Sequence, residues 1–145
     1  MYKALGFGYL MVGNYYNAQI NYDHALQICL KGFGPTHPTL VSIYEHLAFF
    51  TCFQDPAKGI KYYTLAIKIS NMHLDQRQPR LMNCYFNIAK LIIRFRNIKD
   101  AQLYLKKVLK IHKNSEKNQN LALQAQEKLM HWEKQQIYTD INYNL

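Results

Sequence analysis

The sequence has no run of about 18 apolar residues, the length that a membrane-spanning helix needs. Its apolar N-terminal segment, MYKALGFGYLMVG, contains one Lys and is followed by no small-residue cleavage site, so we expect no signal peptide. The three cysteines, Cys29, Cys52 and Cys84, are odd in number and lie in predicted helices. They are expected to be reduced, partly buried thiols of an intracellular protein. We therefore predict a cytoplasmic protein that does not contact a membrane.

The sequence also lacks the spacings that metal sites and active sites need. No pair of its His and Cys residues has C-x2-C, H-x3-H or HExxH spacing. None of its three serines lies in a G-x-S-x-G elbow. The nine carboxylates are scattered, and no pair of them points to acid–base chemistry. We expect no metal, no cofactor and no enzymatic activity.

Acidic residues are scarce relative to basic ones. The chain has 18 Lys and Arg residues against nine Asp and Glu, a net charge of +9. Thirteen of these 18 cations lie in residues 75–145, which hold six acidic residues. A basic half can attract nucleic acid, anionic membrane or acidic peptides. The alternative is an ordinary solvated helical face.

Small residues recur at a fixed period along the chain. Two sets of equivalent positions are separated by steps of 41 and 42 residues: Ala18, Gly59 and Ala101, and Ala25, Ala66 and Val108. Two independent landmarks with the same period indicate an array of helical hairpins. In such an array each unit buries its apolar face mainly against its neighbours. About half of the residues are apolar, so the chain can form a sizeable core.

Local signals place the ends of the helices. Gly13 is expected to end the first helix in the left-handed conformation that glycine adopts readily, and Asn14 to cap the second. Asp55 and Pro56 form an N-cap and first-turn pair. The predicted repeats span approximately residues 1–34, 35–75 and 76–115. A capping helix over approximately residues 116–137, polar on its outer side, completes a domain of residues 1–137, and residues 138–145 are expected to be a frayed tail.

The first repeat contains many residues of one known helical-repeat motif. They are Tyr2, Leu5-Gly6, Tyr9, Gly13 with Tyr15, Ala18, Tyr22 and Ala25. At these positions the chain resembles the tetratricopeptide repeat, or TPR. The connection ending in Gly34-Pro-Thr-His-Pro38 resembles the kinesin-light-chain type, whose repeats have about 42 residues. This resemblance implies an all-α, right-handed superhelical α-solenoid of about three hairpins plus a C-terminal capping helix.

First helices of such arrays present one face to a concave groove, the usual binding surface. The predicted groove positions are Lys3, Phe7 and Leu10 in the first repeat, Glu45, His46, Phe49 and Phe53 in the second repeat, and Asn83, Asn87, Lys90 and Arg94 in the third repeat. The family resemblance also implies that Asn87 holds the backbone of a ligand. Apolar pockets beside Lys and Arg suit a peptide that has an apolar anchor and acidic neighbours. The alternative is that these stripes are solvated helix faces.

These observations predict a non-enzymatic interaction module that binds a peptide or protein partner, as part of a larger scaffold or adaptor. Two alternatives stay open. The chain is a structural or self-associating repeat segment, which can associate through its uncapped N-terminal helix, or it is a basic nucleic-acid-associated module. In the latter case nucleic acid would bind the basic run from Lys106 to Lys117. Because its neighbours Tyr104 and Trp132 fit the core and the cap better, nucleic acid is not the expected partner.

Overall fold

A computed structural model of the chain describes residues 1–73, 79–94, 98–115 and 118–143. Over these ranges it contains α-helices and no β-strand. The helices are α1 (Tyr2–Met11), α2 (Tyr15–Phe33), α3 (Thr39–Thr51), α4 (Pro56–His73), α5 (Pro79–Arg94), α6 (Ile98–Ser115) and α7 (Gln119–Tyr143). The chain divides into two compact units, residues 1–76 and 77–145, and each is described by itself.

The helices pair as hairpins in chain order. In the first unit α1 packs on α2 and α3 packs on α4, and α2 also packs on α3. In the second unit α5 packs on α6, and α7 lies against α6. The helix count and order confirm the prediction of three hairpins followed by a further helix.

Small residues lie at close contacts between helices. A Cβ atom added to Gly6 would lie 2.9 Å from the ring of Tyr22, and one added to Gly59 would lie 3.0 Å from the Cα atom of Cys52. The six repeated landmark positions are all buried: Ala18, Ala25, Gly59, Ala66, Ala101 and Val108. A larger side chain at such a contact would force the two helices apart, because protein interiors are close-packed. The predicted packing of the repeats is therefore confirmed.

The predicted helix ends in the first unit match the structure. Gly13 has a φ of +76°, and its left-handed conformation ends the first hairpin's leading helix. The Oδ1 atom of Asn14 accepts a hydrogen bond from the backbone N–H of Asn17 at 3.2 Å. The Oδ1 atom of Asp55 accepts a hydrogen bond from the backbone N–H of Lys58 at 3.0 Å, and α4 begins at the next residue, Pro56. Both side chains satisfy N–H groups that the helix itself leaves unpaired.

The last helix differs from the prediction at its C-terminal end. We expected it to stop near residue 137 and residues 138–145 to be frayed, but α7 continues to Tyr143. Residues 138–143 contain neither Gly nor Pro, so no local signal stops the helix there. Ala122, Ala125 and Leu129 are buried along α7, as a capping role requires.

Three findings bear on the classes of protein considered above. None of the helices in the described ranges is both long and apolar enough to cross a membrane. All three cysteines are buried free thiols. Within the same ranges no group of three or more His, Cys, Asp and Glu side chains is placed to hold a metal ion.

Candidate functional site

A hydrogen bond joins the first helices of the two hairpins in the first unit. The Nζ atom of Lys3 on α1 donates to the Oγ atom of Ser42 on α3 at 3.1 Å. Ser42 is itself buried and donates to the carbonyl oxygen of Thr39 at 3.2 Å. An ammonium group carries three donors, so Lys3 retains donors for another acceptor. The contact therefore places a cation beside the N-terminal half of α3.

An aromatic pocket lies at the opposite end of α3. Its volume is about 370 Å³, within the range of small-ligand sites. The residues that line it are Tyr15, Tyr16 and Gln19 from α2, and Phe49, Phe50, Phe53 and Gln54 from the end of α3 and the turn that follows. The two groups meet because the antiparallel helices place the start of α2 beside the end of α3. We call this site the aromatic pocket.

The rings of the aromatic pocket surround Phe49. Its centroid is 6.0 Å from that of Phe53, with the ring planes at 90°, and 5.6 Å from that of Phe50, at 73°. The ring of Tyr15 lies 6.4 Å from that of Phe49 on the α2 side. Such edge-to-face arrangements are the preferred contacts between aromatic rings. They hold Phe49 in place while part of its ring remains accessible.

Much of this aromatic surface is accessible to solvent. The side chains of Tyr15, Tyr16, Phe49 and Phe53 are exposed, whereas Phe50 is buried. None of the residues that line the pocket carries a formal charge, and its polar groups are phenol hydroxyls and the amides of Gln19 and Gln54. Exposed aromatic clusters of this kind are typical of interaction surfaces. The pocket is chemically suited to an uncharged apolar side chain.

Three residues of α3 and one of the turn after it connect the cation to the pocket. Ser42, His46 and Phe49 are spaced by four and three positions, which places them on one stripe of α3. Phe53 was predicted on the same helix, but α3 ends at Thr51 and Phe53 lies in the turn that follows. His46 lies midway, and its ring stacks on that of Tyr22 with centroids 4.5 Å apart and planes at 10°. Its Nδ1 atom is 2.6 Å from the carbonyl oxygen of Ser42. These two contacts give His46 a packing role in this stripe.

The other predicted groove residues of the first unit lie outside the aromatic pocket. Phe7 on α1 is exposed, and Leu10 is half-buried. Glu45 on α3 is also half-buried. The structure thus brings Phe49 and Phe53 together in a concave site, and it does not bring Phe7, Leu10 or Glu45 into that site.

The stripe predicted in the third repeat lies on α5, in the second compact unit. Asn83, Lys90 and Arg94 are exposed, and Asn87 is half-buried. The Nζ atom of Lys90 lies 5.9 Å from the ring centroid of Phe86, within the range of a cation–π contact. This surface therefore offers two amides and two cations on one side of a helix. Its chemistry differs from that of the aromatic pocket.

The lysines of the basic run on α6 have different surroundings. The Nζ atom of Lys107 lies 5.3 Å from the ring centroid of Tyr85 and 5.0 Å from that of Tyr104, so it packs between α5 and α6. The side chains of Lys106, Lys110 and Lys113 are exposed, and Lys117 lies outside the described residues. Tyr104 is half-buried and faces Lys107. This arrangement does not match alternating exposed cations and aromatics, which single-stranded nucleic acids favour.

Sequence reasoning missed the α2 side of the aromatic pocket. It assigned binding only to first helices, so Tyr15, Tyr16 and Gln19 were not among the predicted site residues. A signal was present in the sequence, because the Tyr15-Tyr16 pair directly follows the turn at Gly13. In an array of hairpins, this turn lies at the same end as the turn that contains Phe53.

No protein-family model matches the sequence, and the comparison with curated proteins found no match. Solved structures do resemble it. The crystal structure of BtubC (BKLC) from P. vanneervenii has a TM-score of 0.78 at 18% sequence identity, covering 99% of this chain and 61% of BtubC. The N-terminal domain of stress-induced protein-1 (STI-1) from C. elegans has a TM-score of 0.64 at 13% identity, covering 88% of this chain and 91% of that domain.

Both structures belong to the TPR type, and BtubC is kinesin-light-chain-like. The chain therefore has a TPR-type fold, as its motifs indicated. The likeness also confirms the predicted all-α fold class of helical hairpins. The chain spans less than two thirds of BtubC, and at these identities the likeness concerns the fold alone.

Proposed function

We propose that this chain is a non-enzymatic interaction module that binds a peptide or protein partner on the first helices of its hairpins. The observation that carries the proposal is the aromatic pocket, an uncharged concavity with exposed rings. A stripe of α3 leads from this pocket to Ser42, which bonds the ammonium group of Lys3. The TPR-type fold supports the same conclusion, because helical arrays commonly bind partners on extended surfaces. The proposal includes a cytoplasmic location, in agreement with the three free thiols.

In this proposal the aromatic pocket holds the partner's anchor, a large aromatic or aliphatic side chain. The five rings supply the apolar contact, and the amides of Gln19 and Gln54 can bond the N–H and C=O groups of the partner's backbone. A buried aromatic anchor of this type commonly supplies most of the affinity in a small interface.

Lys3 defines the second contact in the first unit. Its partner Ser42 lies nine residues before the end of α3 at Thr51, which is about 14 Å along the helix at 1.5 Å per residue, and Phe53 follows in the next turn. An extended peptide covers this distance in about five residues. The preferred partner therefore carries an acidic residue about five positions from its apolar anchor.

The stripe on α5 is a separate proposed contact surface, for polar and acidic segments. Asn87 offers both a donor and an acceptor to a peptide backbone, and Arg94 can bind a carboxylate through two parallel hydrogen bonds. Asn83 and Lys90 flank these two residues on the same side of the helix.

The test is selection from a random peptide library, with the full chain and its Phe53→Ala variant as parallel baits. The proposal predicts that the parent enriches peptides with one large apolar residue and an acidic residue about five positions away. The Phe53→Ala bait should not enrich them. Equal enrichment by both baits would contradict the proposal. So would capture of nucleic acid alone, with an affinity that falls steeply with salt and depends on Lys106 and Lys110.

A further inference from the structure

The helix α1 is poorly covered by the rest of the first unit. Gly6 is its only buried residue, and its large apolar side chains Leu5, Phe7, Tyr9 and Met11 are exposed. Exposed apolar surface of this extent marks an interface in soluble proteins. Phe7 belongs to the stripe already described, but the other side of the helix has no assigned role.

This other side forms an open groove of about 480 Å³, which we call the α1 outer face. Its lining residues are Met1, Ala4, Leu5, Gly8, Tyr9 and Val12. At 3.6 residues per turn, it lies on a different side of α1 from Lys3, Phe7 and Leu10. None of its side chains is charged.

The repeat period identifies the counterpart of the α1 outer face elsewhere in the first unit. Leu5-Gly6 corresponds to Leu47-Ala48, a step of 42 residues, whereas the step between second helices is 41 residues because the turn within the second hairpin is one residue shorter. With this step, the outer-face residues Met1, Leu5, Gly8 and Tyr9 correspond to Ile43, Leu47, Phe50 and Thr51. All four of these residues of α3 are buried. The same positions are therefore covered on one first helix and uncovered on the other.

The helix that covers this part of α3 is α2. The ring of Phe50 lies 5.8 Å from that of Tyr22 and 6.5 Å from that of Tyr15, and Tyr22 also stacks on His46. Tyr15 and Tyr22 are seven residues apart, so they lie on one side of α2. The α2–α3 contact is thus a second helix of one hairpin packed on the first helix of the next.

We infer that the α1 outer face docks the second helix of a further hairpin of the same repeat type, as α3 docks α2. The partner's chemistry follows from the existing contact: two large aromatic side chains, seven residues apart on one side of a helix. On α1 the counterparts of His46 and Phe50 are Ala4 and Gly8, and a Cβ atom at Gly8 would meet no atom within 4 Å. The space that a docked ring needs is therefore present.

The chain itself supplies the probe. A second copy of residues 1–42 is fused ahead of Met1 in the full chain. The copy of α2 then precedes α1 by the same number of residues by which α2 precedes the equivalent positions of α3. The inference predicts a higher melting temperature than in the parent, and amide hydrogen exchange in the original α1 slower by at least about tenfold.

A matched pair of variants in the original α1 identifies the face that is covered. Leu5 is 46% exposed and Met11 is 70% exposed, so each accepts a polar residue in the unfused chain. In the fusion, Leu5→Glu should abolish the added protection because it would bury a charge. Met11→Glu should preserve it, because the counterpart of Met11 in the second repeat, Phe53, is 68% exposed although α2 covers α3. Unchanged exchange in α1, or equal effects of the two substitutions, would overturn the inference. The inference would also be overturned if the parent chain dimerised through Leu5 and the fusion gained no protection. The occupant of the α1 outer face would then be a second copy of the chain.

Discussion

Gly6 of α1 rests directly on the ring of Tyr22 of α2, at a distance that leaves no room for a Cβ atom. The nearest ring atoms, Cδ2 and Cε2, would lie 2.9 Å from that Cβ, and the carbonyl oxygen of Ala18 would lie 3.3 Å from it. The ring cannot move aside, because it is buried and stacks on His46. This contact sets the separation of the first two helices.

We predict that Gly6→Ala destabilises the chain despite the higher helix propensity of alanine. Overpacking costs about 1–3 kcal/mol, whereas the propensity gain is about 1 kcal/mol. Gly8→Ala is the matched control, because its Cβ would meet open space and should leave stability unchanged or raise it. Urea denaturation of both variants measures the difference. A Gly6→Ala variant at least as stable as Gly8→Ala would show that the two helices are not in close contact.

The contribution of Asp23, on α2, to folding stability should fall as pH rises. Burial raises the pKa of its carboxyl above the usual 3.8, and Lys58 and His24 offset this only in part. Between the usual and the raised pKa the folded chain binds more protons than the unfolded chain, so this contribution to stability falls as pH increases. Asp23→Asn should therefore melt at a higher temperature than the parent at neutral pH. The gap should close in acid below the usual pKa, and a less stable variant at neutral pH would refute this assignment.

The three thiols should react slowly in the folded chain. Burial raises the pKa of Cys29, with a smaller opposing effect from Lys3, and the Sγ atom of Cys52 donates to the carbonyl oxygen of Phe49 at 3.0 Å. Because the thiolate is the reactive form, we expect disulfide exchange with a thiol reagent to be at least about tenfold slower than in denaturant. Unfolding should release three reactive thiols. A thiol that titrates immediately in the native chain would contradict the described burial.

The polar stripe on α5 predicts a charge-dependent contribution to binding. Arg94→Glu should lower the affinity for acidic peptides that bind this stripe by about tenfold, the effect of losing a charge-assisted pair of hydrogen bonds. Lys113→Glu, an equal charge change at an exposed position of α6, is the control and should have a smaller effect. Fluorescence anisotropy at two salt concentrations measures both variants. Equal losses in the two would indicate a response to net charge rather than to this stripe.

The hairpin architecture followed from the sequence because its signals are local or periodic. Gly13, Asn14 and Asp55 determine helix ends through their own backbone conformation or hydrogen bonds, and the small landmarks recur at one period. The end of α7 was mispredicted for a related reason. Residues 138–143 carry no periodic apolar pattern, but they also contain no residue that stops a helix.

The candidate site was only partly predictable because it depends on contacts between helices. Phe49 and Phe53 were predicted as aromatics of a first helix, and both are exposed, although Phe53 lies in the turn after α3. The role of His46 depends on the ring of Tyr22, which is distant in sequence, so its packing could not be inferred from spacing. Tyr16 was missed because its contribution depends on how the start of α2 lies against the end of α3.

The central claim is that the aromatic pocket anchors a partner, and calorimetric titration of a library-selected peptide tests it most directly. Phe53→Ala is compared with Phe33→Ala, since Phe53 is 68% exposed and Phe33, which stacks on His37 away from the pocket, is 67% exposed. We predict that Phe53→Ala weakens binding by at least about tenfold, and that Phe33→Ala changes it by less than about twofold. Equal affinities of the parent and Phe53→Ala would contradict the claim.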